Sequence, residues 1–359
     1  MKEILAVLPE SEFFAVVDFL GERDREHFEG RNIKTSFIQR LPLAKARYRS
    51  YLPIMPLAIE QLDFRGFDLL VSSHHAVAKG IIVGPDQLHI SYVHSPMRYG
   101  WDLQHQYLEE ANLNRGINGW VAKWILHRLR IWDARAANGV DVFVANSNYI
   151  ARRIRKTYRR EAAVIYPPVD VEHIVAREHK EDFFLAVSRM VPYKRMALIA
   201  EAFQGLPGRR LVIIGDGPQM GSVKKMAGRN VTVLGYQPTE VVRNYMSRAR
   251  ALVFAAEEDF GITPVEAQAA GTPVIAFGRG GCRETVRPLE QTSPTGVFFE
   301  EQSVNAIREA VKVFEEAEGH ISAKDCVENA NRFSAGRFRR EFAELVQKEW
   351  TAFREERGW

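Results

Sequence analysis

The sequence predicts an α/β protein of two domains, the second of which is a doubly wound parallel sheet. Its 359 residues are more than one ordinary α/β core contains. Short apolar runs alternate with helical patterns through the second half of the chain. The pair Pro167-Pro168 stops regular structure near the middle, because neither proline can donate to a strand ladder. We therefore expect a hinge there, with domains at residues 1–167 and 168–335.

The composition excludes several classes of protein. A hydrophobic fraction of 46% is typical of a packed globular protein, and no run of eighteen apolar residues predicts a membrane span. The first residues lack the pattern of a signal peptide. Two distant cysteines, Cys282 and Cys326, argue against a disulfide framework or a cysteine-bound metal. The net charge of +4 suits a phosphate-bearing substrate or an anionic membrane, and no motif indicates a nucleic-acid partner.

In the first half, apolar runs predict buried strands, and residues 4–8 also fit a strand by pattern alone. The other predicted strands are 68–72, 90–93, 140–145 and 163–166.

Three other stretches of the first half are basic or strongly apolar. Residues 37–62 interleave cations with aromatic rings, which leaves two interpretations open: contact with an anionic membrane, or a loop packed on its own domain. Residues 117–138 predict a long amphipathic helix that faces the core. The basic helix that follows the strand at 140–145 is predicted to be solvated, with membrane contact as the alternative.

The second half alternates strand and helix regularly, which predicts right-handed crossovers between parallel strands. Its Gly215-x-Gly217 turn is a weak dinucleotide signal, because the third glycine is missing. The predicted elements are 183–187, 196–203, 210–214, 218–226, 231–234, 239–247 and 252–255.

Residues 254–284 carry the strongest functional pattern: strand, loop, helix, strand. Thr263 is the predicted N-cap and Pro264 the first helical residue, while Gly271 ends the helix. The helix start offers backbone N–H groups, which suit an anion or a ring of hydroxyls. By spacing alone, Glu266 closes a capping box and Glu258 is a solvated loop acid.

The combination Glu258-x7-Glu266, with Phe260-Gly261 between the acids and Gly280-Gly281 and Glu284 after them, closely resembles the donor site of one enzyme family. These are the retaining GT-B glycosyltransferases of the glycogen-synthase-like and lipopolysaccharide type (group 1). The resemblance implies two Rossmann-like, doubly wound domains facing a central cleft. It also implies that a last helix, 336–359, packs back on the first domain, and that residues 2–8 end a helix before a strand at 13–17.

The resemblance assigns roles to individual residues. Glu266 would bind the ribose hydroxyls, and Glu258 with the amides of the following loop would hold the sugar and its phosphate. Arg189 and Lys194 would stabilise the leaving nucleoside diphosphate. The other implied donor contacts are Phe260, Gly261, Ile262, Gly280, Gly281 and Tyr236.

In the first half, His94 follows a predicted strand, where ligands of open α/β folds gather. A lone histidine is more often structural, but His94-x-Pro96 resembles the histidine that these transferases place beside the donor sugar. The run from Met97 to Asp102 resembles the bacterial mannosyltransferase branch. Lys79 and Arg98 are candidate phosphate contacts on the acceptor side, with surface charges as the alternative.

We therefore expect transfer of a hexose, mannose from GDP-mannose, to a lipid-linked or polysaccharide acceptor with retained configuration. No Asp-x-Asp motif follows a strand, so we expect no metal or other cofactor. The protein is expected in the cytoplasm, with peripheral contact to the inner membrane surface left open. Relatives usually begin with a strand and a glycine-rich turn near the diphosphate, and no such turn is found here. Alternatives are a nucleotide-sugar epimerase or hydrolase, and a non-catalytic donor-binding subunit that needs a partner.

Overall fold

The computed structural model describes residues 1–28 and 30–358, and the chain divides into two compact units. The first unit comprises Met1–Ile165 and Arg339–Trp359, and the second comprises Tyr166–Phe338. In the described part of the chain, no helix is both long enough and apolar enough to cross a membrane.

The first unit contains a four-stranded parallel sheet of order β3-β4-β5-β6 and a separate parallel pair, β1 and β2. All six residues of β4 are buried, as expected for a parallel strand covered on both faces. The strands are β1 (Phe13–Ala15), β2 (Ile33–Thr35), β3 (Leu69–His74), β4 (Leu88–Val93), β5 (Val142–Ala145) and β6 (Ala163–Val164).

Residues 4–8 do not form the strand that their apolar pattern suggested. They belong largely to a helix, and the first strand starts at Phe13, as the resemblance implied. The helices of this unit are α1 (Lys2–Val7), α2 (Glu22–Arg25), α3 (Ala44–Arg47), α4 (Met55–Glu60), α5 (Gln104–Glu110), α6 (Gly116–Ala136) and α7 (Asn148–Tyr158).

The second unit is one six-stranded sheet in which every neighbouring pair is parallel. Its order, β12-β11-β10-β7-β8-β9, is the doubly wound order 3-2-1-4-5-6. The predicted alternation is confirmed. The strands are β7 (Glu181–Val187), β8 (Leu211–Ile214), β9 (Val231–Gly235), β10 (Ala249–Phe254), β11 (Val274–Phe277) and β12 (Gly296–Phe299).

Helices cover both faces of this sheet. Successive residues of β7 enter different core clusters: Phe184 and Ala186 lie in one, Phe183 and Leu185 in the other. The helices are α8 (Met196–Gln204), α9 (Met220–Met226), α10 (Thr239–Arg248), α11 (Ile262–Ala269), α12 (Cys282–Thr285), α13 (Val304–Ala317), α14 (Ala323–Asn331) and α15 (Ala335–Arg357). From Arg339 onward, α15 belongs to the first unit.

Three histidines at the first unit's sheet, His74, His89 and His94, have lowered pKa values. The contacts of His89 show the cause. Its ring is fully buried, with Nδ1 donating to the Gly139 carbonyl (2.9 Å) and Nε2 at 2.8 Å from the Ser72 hydroxyl. Burial lowers the pKa of His89 to about 4, although the Gly139 carbonyl and Asp141 oppose that shift. The folded protein therefore keeps this imidazole neutral.

The first unit is expected to lose stability as the pH falls from about 6.5 towards 4. The unfolded chain takes up protons near pH 6.5, whereas folded His89 does not, so acid favours unfolding by up to about 3 kcal/mol at this site. Urea unfolding followed by tryptophan fluorescence measures this, because all six tryptophans belong to the first unit. His89→Gln should flatten the pH dependence, and an unchanged slope would contradict the assignment.

Candidate active site

The strand order of the second unit defines where a ligand site is expected. β7 and β10 are neighbours, yet the chain leaves them in opposite directions, since β8 continues on one side and β11 on the other. Ligands of open α/β sheets bind at such a switch point, outside the carboxyl ends of the strands. The loop after β7 carries Arg189 and Lys194, and the loop after β10 carries Glu258.

The structure brings Lys194 and Glu258 together as an ion pair across this switch point. Lys194 ends a short 3-10 turn, Pro192–Lys194, and its ammonium group lies 5.9 Å from the ring centroid of Phe254 and 5.3 Å from that of Tyr193. The two charged side chains are 17% and 19% exposed. The pair is thus accessible from solvent and partly desolvated. Partial desolvation strengthens the attraction between the Lys194 ammonium group and a bound anion.

Arg189 lies on the same loop and is exposed. Its guanidinium makes no hydrogen bond or ion pair with any residue that the structure describes. It is therefore available to a ligand, as a residue in an anion site should be.

Helix α11 begins two residues earlier than the capping pattern predicted. Gly261, with φ of 92°, is the N-cap, and Ile262 is the first helical residue. Thr263 and Pro264 therefore lie inside the first turn, where a proline is tolerated because its missing N–H has no partner there anyway. Glu266 is then five residues beyond the N-cap, so it does not close a capping box. The predicted stop is confirmed, since the helix ends at Ala269 and Gly271 follows at φ of 73°.

Glu266 has a carboxylate that is partly desolvated and that no described residue pairs with. No hydrogen bond or ion pair reaches this side chain from residues 1–28 or 30–358. Burial raises its pKa; Arg243 opposes that shift, and Asp170 adds to it. A partly buried carboxylate without donors is costly, and the hydroxyls of a ligand would supply the missing hydrogen bonds.

Gly280 and Gly281 pack against the loop that carries Glu258. The amide of Gly281 donates to the carbonyl of Glu258 at 2.8 Å, and Gly280 forms an isolated parallel bridge with Glu258. A Cβ atom at Gly280 would lie 2.3 Å from that carbonyl oxygen, and one at Gly281 would lie 2.3 Å from the Cα atom of Phe260. These glycines therefore hold the acidic loop in place, and their contact with a donor stays a prediction.

The remaining predicted donor contacts differ in how exposed their side chains are. The Phe260 side chain is buried against Tyr166 and Phe333, at centroid distances of 5.8 and 5.3 Å, so its ring is not open to a ligand. Ile262 is half exposed at the helix start. Tyr236 directly follows β9 and is 75% exposed at the same edge of the sheet.

Gly215 and Gly217 have a role that the sequence interpretation missed. Both adopt positive φ, 140° and 151°, and a Cβ atom would lie 1.9 Å from the Ser188 carbonyl oxygen and 2.5 Å from that of Met190. The Met190 amide also donates to the Asp216 carbonyl at 2.8 Å. This turn therefore supports the loop that carries Arg189, which explains a Gly-x-Gly without the rest of a dinucleotide motif.

In the first unit, His94 follows β4, as predicted, and its Nε2 lies 2.9 Å from the Ser73 hydroxyl. The residue reaches solvent, yet desolvation by the atoms around its ring lowers the pKa to about 4, with smaller effects of the N-terminal amine and His75. The imidazole is therefore neutral near pH 7. Arg98 begins a short 3-10 turn, Arg98–Gly100, and is half-buried.

Lys79 is not an acceptor-side phosphate contact, because it lies in the core. Its side chain is 0% exposed and forms an ion pair with the equally buried Asp133. Asp133 also accepts hydrogen bonds from Trp101 Nε1 (2.8 Å) and the Tyr158 hydroxyl (2.9 Å). The position of Lys79 after a strand suggested that it is a site residue, but its side chain lies in the protein core.

Among the described residues there is no cluster of three or more His, Cys, Asp or Glu side chains that could hold a metal ion. A metal-free reaction stays a prediction.

Family models match almost the whole chain in two parts. The model described as glycosyl transferases group 1 matches residues 170–333, and that of glycosyltransferase family 4 matches residues 13–173. An uncharacterized glycosyltransferase of Methanocaldococcus jannaschii is 26% identical over 316 residues, which cover 86% of this chain and 83% of that protein.

Two further comparisons concern a named activity and a solved structure. A GDP-mannose-dependent alpha-(1-6)-phosphatidylinositol monomannoside mannosyltransferase of Mycobacterium tuberculosis is 29% identical over 230 residues, which cover 54% of this chain and 56% of that protein. The match thus spans little more than half of each chain. The structure of sucrose-phosphate synthase from Thermosynechococcus elongatus superposes with a TM-score of 0.68 at 18% identity, covering 89% of this chain and 84% of that one.

Proposed function

Because the chain belongs to the group 1 glycosyltransferases of the GT-B fold, we propose that it transfers mannose from GDP-mannose with retention of anomeric configuration. The acceptor is a lipid-linked or polysaccharide glycan of the cell surface. The observation that carries the proposal is the Lys194–Glu258 pair at the switch point, with the carboxylate of Glu266, which has no partner among the described residues, on the helix that follows. The choice of mannose is supported by the run from Met97 to Asp102 and by the relative named as GDP-mannose-dependent.

In the proposed donor complex, Glu266 accepts hydrogen bonds from the vicinal hydroxyls of the ribose. A carboxylate can accept two such bonds, and this one has no competing donor in the described structure. The amides at the start of α11 receive phosphate or sugar oxygens without reorganisation, because the helix already orients them. Tyr236 lies beside the base.

In the proposed reaction, Arg189 and Lys194 stabilise the negative charge that grows on the leaving nucleoside diphosphate. Fixed cations at a partly desolvated edge favour the transition state, where that charge is largest. Glu258 orients Lys194 and contacts the sugar, and neutral His94 donates or accepts a hydrogen bond at the sugar. The leaving phosphate takes the proton of the acceptor hydroxyl on the same face, so no protein nucleophile is needed.

Replacing Glu266 by glutamine is expected to weaken binding of GDP or GDP-mannose by about 10- to 100-fold, because charge-assisted hydrogen bonds to the ribose are lost. Isothermal calorimetry with GDP measures the loss. Glu316→Gln, which changes an exposed carboxylate on α13 of the same unit, is the matched control and should bind as wild type. Unchanged affinity in Glu266→Gln would remove Glu266 from the ribose.

The donor itself is tested by a binding screen of GDP- and UDP-sugars. Saturable binding of GDP-mannose alone supports the proposal, while selective binding of a UDP-sugar would overturn the choice of donor. Incubation without acceptor separates the rival reactions, since stoichiometric isomerisation or release of the sugar would indicate an epimerase or a hydrolase. Binding without turnover on any glycan acceptor would indicate a donor-binding subunit.

A further inference from the structure

Helix α6 of the first unit has two apolar faces, although its sequence predicted only one facing the core. The inner face carries Leu126 and Leu129, which are buried in a core cluster. The outer face carries large apolar side chains that remain in solvent. They are Ile117 (83% exposed), Trp120 (70%), Val121 (42%), Trp124 (54%) and Ile131 (53%).

These exposed side chains form one continuous stripe. Steps of three, four or seven residues place them on the same side of an α-helix, and the stripe from Ile117 to Ile131 is roughly 20 Å long. A surface stripe that contains two tryptophans is unusual for a side that nothing covers. We call it the α6 stripe.

The charged residues of the segment 111–132, which carries most of the α6 stripe, are all basic. Arg128 lies on the stripe between Trp124 and Ile131, and Arg115 and Lys123 flank it. Residues 111–132 contain no aspartate or glutamate, and Asp133 faces inward to Lys79. Neither Arg115 nor Arg128 has an ion-pair partner among the residues that the structure describes.

A helix that is hydrogen-bonded to α6 also carries an exposed apolar side chain. Glu60 of α4 accepts hydrogen bonds from Trp132 Nε1 (2.7 Å) and Arg135 (2.5 Å) of α6, so the two helices are joined. On α4, Leu57 is 52% exposed. Within the segment 37–62, Ile38, Met55 and Ile59 are buried in the same core cluster as Leu126 and Leu129.

We infer that the α6 stripe docks on an anionic lipid membrane. Tryptophan rings favour the level of the lipid headgroups, aliphatic side chains enter the acyl boundary, and arginine and lysine pair with anionic headgroups. A core-like protein partner would match the apolar residues but not the unpaired cations. Membrane docking does not depend on which sugar donor the protein binds. Only the further conclusion that the acceptor is lipid-linked rests on the proposed function.

Co-sedimentation with vesicles of phosphatidylcholine containing 30% phosphatidylglycerol tests this docking in the full chain. Wild-type protein should bind these vesicles and bind pure phosphatidylcholine far more weakly. The double variant Trp120→Ser/Trp124→Ser should lose roughly tenfold or more in partitioning. Arg128→Glu should lose about fivefold or more, since each basic residue near such a surface contributes on that scale.

The matched control is Ile82→Ser, which removes an equally exposed isoleucine elsewhere in the same unit (63% exposed). It should bind vesicles as wild type, and circular dichroism should show all variants folded. Unchanged binding in the double variant overturns the inference. So does a concentration-dependent dimer in lipid-free sedimentation that the double variant abolishes, because the stripe would then be an interface between two copies. No donor is present in these assays, so their failure is separate from failure of GDP-mannose binding.

Discussion

Replacing Lys194 by methionine is expected to lower turnover by roughly two to three orders of magnitude while the protein stays folded. In the proposed reaction its ammonium group faces the leaving diphosphate, and losing one preformed donor to a developing charge has effects of this size. The fold should tolerate the change, because the pair with Glu258 is partly exposed at the edge of the sheet. Steady-state rates with saturating GDP-mannose measure it.

Arg195→Met is the matched control for this prediction. It removes a positive charge from the adjacent, exposed residue, whose guanidinium bonds to Gln302 at 3.2 Å and to no other described residue, and it should keep full turnover. A structural role for Lys194 would lower the melting temperature and leave the rate constant of folded enzyme near normal. Turnover within threefold of wild type in folded Lys194→Met would refute the leaving-group role.

Replacing Asp133 by asparagine is expected to destabilise the first unit by about 3 kcal/mol or more. The ammonium group of Lys79 would stay buried without its counter-charge, and breaking one side of a buried pair has effects of this size. Burial already lowers the pKa of Lys79, and Asp133 is the group that opposes this. Urea unfolding followed by tryptophan fluorescence reports the effect for this unit.

The double variant Lys79→Met/Asp133→Asn removes both charges and keeps an amide oxygen for the Trp101 and Tyr158 donors. It should be more stable than Asp133→Asn alone, because no unpaired charge remains in the core. If the double variant is no more stable than the single one, the destabilisation does not come from a buried charge.

The pattern from Phe254 to Glu284 was informative because it combines residue types that chemistry and backbone geometry both demand. A run of apolar residues before Glu258, a glycine at 261 and a glycine at 271 predict strand, loop, helix and stop from local rules. The start of α11 was predicted wrongly, because the local pattern favours Thr263 as the N-cap and the structure uses Gly261 instead. Gly261 adopts the left-handed conformation, so the chain enters the helix before Thr263.

Lys79 and α6 show where local reasoning failed. Lys79 is a polar residue after a strand, which is typical of a site residue, but Asp133, 54 positions away, holds it in the core. Trp120 and Trp124 fit a core-facing pattern, but the core is already filled by Leu126 and Leu129 on the other side of the helix. In both cases the decisive neighbour is distant in sequence.

The sequence by itself determined the α/β class, the alternation of strands and helices in the second unit and the family, because these depend on short-range periodicity and on motifs. It also named the residues of the proposed donor site, whose roles await the experiments above. Only the tertiary structure decided that Lys194 pairs with Glu258, that Glu266 has no partner in the described chain and that the α6 stripe is exposed. The physical reason is that the burial and pairing of a side chain depend on which elements pack together in three dimensions. A local sequence pattern does not contain that information.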